Sequence, residues 1–72
     1  MKLSEEEQIE KLKEVGLSTV IVSVKKKVIE TLSIYGEKAI PAITEIIEAT
    51  IVPEVEEYGL ETIKRIKEKS RT

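Results

Sequence analysis

The sequence predicts an all-α fold: four helices arranged as two antiparallel helical hairpins, over about residues 4–35 and 37–69 of a single domain. Apolar residues recur at helical spacing, as in Ile9, Leu12 and Val15 and again in Val24, Val28 and Leu32. Helix-start chemistry at Ser4-Glu5-Glu6-Glu7 and the well-separated glycines Gly16 and Gly36 divide these stretches. The chain also echoes itself at a shift of 31 residues, where Ile9, Leu12, Val15, Ile29 and Leu32 fall on Ile40, Ile43, Ile46, Leu60 and Ile63. Glu14, Thr19, Val24 and the dipeptide Glu30-Thr31 are identical to their counterparts at that shift.

The first helix opens on a capping box, in which the Ser4 hydroxyl accepts from the Glu7 backbone N–H and the Glu7 carboxylate accepts from that of Ser4. Three consecutive acids there suit the positive end of the helix dipole. Ile9, Leu12 and Val15 form its apolar stripe, and Gly16 is expected to end it. Thr19 is the expected N-cap of a second helix over about residues 20–35, which buries Val20 or Ile21, Val24, Val28, Leu32 and Tyr35. The run Val20-Ile21-Val22-Ser23-Val24 has strand-like residues, but it has no partner strand in the chain, so helix is expected.

Gly36 is expected to supply a positive-φ break before the third helix, over about residues 37–49, with Pro41 near its start. Ala39, Ile40, Ile43, Ile46 and Ile47 make its apolar face. Thr50 matches Thr19, Pro53 opens the fourth helix, and Val55, Leu60, Ile63 and Ile66 are expected to point inward. Gly59 within that helix predicts close approach of a neighbouring backbone.

Composition narrows the function. With neither cysteine nor histidine, disulfides, thiol nucleophiles, imidazole bases and structural zinc are not expected, and no cofactor is. All 14 acids are Glu and Lys outnumbers Arg ten to two, a bias that fits a thermophile proteome. The β-branched run at Val20 to Val24 argues against an idealised designed helix, which leaves a natural thermophile source as the expectation. Both signs of charge are interspersed, with a net charge of -2, as on a solvated surface. After Met1-Lys2-Leu3 the chain turns acidic instead of entering an apolar signal core, and no apolar run reaches membrane-spanning length. A cytoplasmic protein away from membranes is expected.

Ala39-Ile40-Pro41-Ala42-Ile43, a short turn, and then Val55, Gly59-Leu60 and Ile63 resemble a HEAT repeat of the short, lyase-associated branch. The resemblance covers Tyr35 to Ile66, and the 31-residue echo extends it to the first half. The family's Asp-Pro turn is replaced by Thr50-Ile51-Val52-Pro53, and its arginine after Val55 by Glu56. What the resemblance implies is two repeats in a short solenoid, or a compact bundle, with the second helix of each pair on a concave binding side. Lys25 and Lys26 on one such helix would face that side together with Glu56 and Glu57 on the other.

Two repeats are few for a self-sufficient stack. Val22, Ile29, Ile34, Ile47, Ile51 and Val52 fall outside a single narrow stripe, and of these Ile34, Ile51 and Val52 are the expected contacts of a partner, with a homodimer the expected assembly. The function expected is a non-enzymatic protein-protein interaction or assembly module. The alternative is a small nucleic-acid-associated protein using Lys25, Lys26 and Lys27, against which stand the two arginines of the chain and the exposed Glu45 and Glu48 of the third helix.

Overall fold

The computed structural model describes residues 3–70. Met1, Lys2, Arg71 and Thr72, which bear on the signal-peptide reading and the arginine count, lie outside the described residues. Among the described residues the chain is all-α, with α1 at Glu5–Ser18, α2 at Val22–Leu32, a 3-10 segment at Ser33–Ala39, α3 at Ile40–Ala49 and α4 at Pro53–Ser70.

Where the sequence predicts four separate helices, the backbone forms three helical runs, 5–18, 22–49 and 53–70, the middle one kinked at Gly36. The middle run is bent, not ended, at Gly36. There φ is 72° and ψ is -145°, a region open only to glycine, so the positive-φ expectation holds. The 3-10 turn spans the bend, and the α-helical part of α3 starts at Ile40 instead of Glu37.

The capping box forms as expected: the Glu7 N–H donates to Ser4 Oγ at 3.2 Å and the Ser4 N–H to Glu7 Oε1 at 3.0 Å. Gly16 does not end α1. The helix runs on to Ser18, and Gly16 is buried within it because Ile46 of α3 lies over it. A Cβ there would stand 2.6 Å from Ile46 Cδ1 and 3.2 Å from Val28 Cγ1. Thr19 is the C-cap of α1 instead of the N-cap of α2; its Oγ1 accepts from the Ile21 N–H at 3.1 Å, and α2 starts at Val22.

Thr50 repeats this turn. It caps α3 with φ -97° and ψ 150°, against -83° and 146° at Thr19, and its Oγ1 accepts from the Val52 N–H at 3.2 Å. Helix ends at Ser18 and Ala49, and helix starts at Val22 and Pro53, are each 31 residues apart. The sequence echo is therefore also an echo of backbone geometry.

α1 lies against α2 and α3, and α4 against α3 and α2, whereas no Cα of α1 lies within 8 Å of α4. Lys38 pairs with Glu5, Lys13 with Glu45 at 3.1 Å, and Ile46 covers Gly16, so α1 and α3 run side by side in the same direction. α2 and α4 do likewise, joined by Lys26 to Glu54 at 2.9 Å and by the Tyr58 hydroxyl donating to Glu30 at 3.4 Å.

Ile29, Leu32, Ile43, Ile46 and Val55 are sealed completely, with Ala39, Ala42, Val28, Ile9 and Ile66 around them. Ile29 falls outside the narrow stripe expected of α2, yet it is at the centre. A helix packed on two neighbours needs a wider apolar face than a helix packed on one. Val15 and Leu60, expected inward, are 47% and 59% exposed. On α4 the inward positions beside Leu60 are held by Gly59 and Thr62; the Thr62 hydroxyl donates to the Tyr58 carbonyl at 2.8 Å, which allows its burial. At Gly59 the close neighbour is the Ile47 side chain, 2.5 Å from where a Cβ would stand, instead of a backbone.

Candidate interaction surfaces

The residues expected to meet a partner are scattered. Lys25 is turned inward, 8% exposed, and its Nζ donates to the Gly16 carbonyl at 2.8 Å. That carbonyl belongs to the last turn of α1, where no intrahelical N–H is left to serve it, and α1 carries no basic residue of its own there. Lys25 thus caps a neighbouring helix with a charge its dipole favours. The burial of this lysine removes it from any outer binding face.

Lys26 bonds Glu54 and sits 5.3 Å from the centroid of the Tyr58 ring. Hydrogen bonding to the Glu54 carboxylate holds its ammonium above the usual lysine range. Its cross-helix partner is thus Glu54, one turn before Glu57. Glu56 is half-buried and Glu57 exposed on α4. Lys27 lies 3.4 Å from Glu30, so each member of the lysine run is engaged with an oxygen of this chain.

Ile34 is 81% and Ile51 93% exposed, while Val52 is half-buried against the core. Ile34 precedes α3 and Ile51 follows it, so about ten helical residues, or ~15 Å, separate them. They do not form one patch. The signal that a single-stripe reading misses is the echo itself. The largest fully buried side chains are Ile29, Leu32, Ile43, Ile46, Val55 and Thr62. Their counterparts 31 residues away are Leu60, Ile63, Leu12, Val15, Val24 and Thr31, and none of these is buried.

By the 31-residue register Leu60 and Ile63 belong to an outer edge on α4, and Leu12, Val15 and Val24 to one on α1 and α2; Val15 and Leu60 are exposed, while Leu12, Val24 and Ile63 are half-buried against the core. Every one that replaces an aliphatic residue is itself aliphatic. The outer edges keep the chemistry of the contact between the two halves of the chain.

Hollows are open and shallow. The best formed, about 410 Å³, lies between the 3-10 segment and the C-terminal part of α4 and is lined in part by Ile34, Gly36, Arg65 and Ile66. Arg65 Nη2 reaches Thr62 Oγ1 there at 3.5 Å. Among the described residues no three acidic side chains are grouped to hold a metal ion, and no helix is long and apolar enough to cross a membrane. In comparisons with known proteins, no family model, no curated protein and no solved structure matches this chain.

Proposed function

We propose that this chain is a non-enzymatic helical assembly module, cytoplasmic in setting, that works by binding protein, its own copies first. The observation that carries this reading is the set of aliphatic residues left at two edges, each corresponding to a fully buried residue inside. An uncovered face of this kind gains free energy in proportion to the apolar area removed from water on contact. A homodimer is the smallest assembly that covers any of it.

The architecture proposed with it is a pair of antiparallel hairpins, α1 with α2 and α3 with α4, stacked as in a two-repeat HEAT-like solenoid. Supporting this are the parallel run of α1 beside α3 and of α2 beside α4, the absence of contact between α1 and α4, and the repeated threonine turns. An up-and-down bundle would instead bring α1 and α4 together. The nucleic-acid alternative draws no support from the lysine run, since Lys25 is buried and Lys26 and Lys27 contact glutamates.

The test is the molar mass in solution, by light scattering or sedimentation, over a wide concentration range. The reading expects a mass above that of one chain that rises with concentration. A single-chain mass at every concentration rules out self-assembly.

A further inference from the structure

We propose that copies of this chain stack head to tail, the α4 edge of one receiving the α1/α2 edge of the next by repeating the contact made between the two halves of each chain. The inference rests on the assembly reading above and names its geometry. Inside the chain, Ile46 of α3 seats on Gly16 of α1, and Ile29 of α2 reaches the surface of α4 at Gly59, 3.6 Å from where a Cβ would stand. Moving each contact by one repeat gives its counterpart between copies. Val15 of the next copy takes the part of Ile46, against Ile47 of the first where Gly16 stood, and Leu60 of the first takes the part of Ile29, against Val28 of the next where Gly59 stood, so the register is repeated while the glycine seats are not.

The polar contacts transfer in part: Lys26 with Glu54 becomes Glu57 with Ser23, and Lys38 with Glu5 becomes Glu7 with Gly36, which is no pair. Within the chain the Tyr58 hydroxyl donates to the Glu30 carboxylate. One repeat on, Glu61 takes the place of Glu30, and Lys27 of the next copy takes the place of Tyr58. A hydroxyl–carboxylate hydrogen bond is thereby replaced by a pair of opposite charge, the Lys27 side chain being 74% exposed and, within its own chain, 3.4 Å from Glu30. Lys13 with Glu45 becomes Thr44 with Glu14, a hydroxyl beside a carboxylate.

In the head-to-tail arrangement different edges meet, and such a contact does not close on itself. Each added copy presents a fresh edge.

A complementation experiment tests this. Val15→Glu blocks the α1/α2 edge and Leu60→Glu blocks the α4 edge; both positions are half-exposed, and unchanged circular dichroism and melting midpoint confirm that each variant folds. By sedimentation, the unaltered chain is expected to grow beyond a dimer as concentration rises. Each variant alone is expected to associate at least about tenfold more weakly, as for loss of a central interface side chain. An equimolar mixture is expected to give a one-to-one dimer that grows no further, since one good edge remains on each partner.

If the unaltered chain associates but the mixture stays monomeric, or either variant alone associates like the unaltered chain, head-to-tail stacking is wrong while the assembly reading stands. If the unaltered chain is monomeric throughout, both self-assembly and its head-to-tail form are overturned.

Discussion

The contact between the two halves of the chain and the outer edges are built from matching residues, yet one is sealed and the other open. Ile46 has no exposed surface, and its counterpart Val15 is 47% exposed; Ile29 has none, and Leu60 is 59% exposed. Side-chain type does not distinguish the members of each pair. What distinguishes them is whether a neighbouring pair of helices is present. Burial in this fold therefore depends on whether a neighbouring helix covers the position, not on the side chain that occupies it.

A second contrast lies inside the halves. In the first, Gly16 of α1 faces Val28 of α2; in the second, the corresponding positions hold Ile47 and Gly59, so the small and large residues have changed places. Each arrangement keeps the helices close with one glycine.

Truncating matched residues should separate the inner contact from the edges most sharply. Ile46→Ala should cost about 2–5 kcal/mol, as for other large-to-small core changes, and Val15→Ala well under half as much in dilute monomer. Denaturant titration measures both. Equal losses would mean that the two environments do not differ as described. The glycines come next. Gly16→Ala drives a methyl into Ile46, which is enclosed and cannot yield, and should cost about 1–3 kcal/mol. Gly59→Ala should cost less, because the half-buried Ile47 can swing outward, and Gly59→Ala with Ile47→Ala should recover part of the loss.

Lys25→Met keeps the bulk but leaves the Gly16 carbonyl without its donor, at a cost of about 1–3 kcal/mol. Lys27→Met, at the exposed end of the same lysine run, should leave the melting midpoint nearly unchanged. Ser4→Ala should cost about 1 kcal/mol through the lost cap and raise hydrogen exchange in the first turn of α1.

The smallest effect is one of pH. The backbone N–H and hydroxyl of Ser4 hold the Glu7 carboxyl below its usual range. The cap is therefore fully stabilising above the unfolded-state value and is lost as pH falls through the lower folded-state value. Exchange in the first turn should rise below about pH 4 in the parent chain and depend less on pH in Ser4→Ala.

Much of this was legible in the sequence. The capping box, the positive φ at Gly36, Pro53 at the start of α4 and the central place of Val28, Leu32, Ile43 and Val55 follow from local rules that tertiary contacts did not override. Gly16 misled because a glycine near a helix end suggests a stop, whereas here it makes room for Ile46 from a distant helix. Lys25 misled for a similar reason: its partner is a carbonyl of α1, which charge spacing along α2 does not reveal. Of the expected partner contacts, Ile34 and Ile51 are exposed and Val52 is half-buried. The edge residues were hidden by their own stripes, since Val15 and Leu60 have the spacing of core residues and lack only a neighbour.

The most direct test of the account is a dilution series of methyl NMR spectra with Ile, Leu and Val assigned. If stacking repeats the inner contact, the methyls of Val15, Val24, Leu60 and Ile63 shift with concentration while those of Ile29, Ile43 and Ile46 stay fixed. Shifts confined to Val20, Ile34 and Ile51, or no shifts at any concentration, would contradict the view that the open edges are unfilled copies of the interior contact.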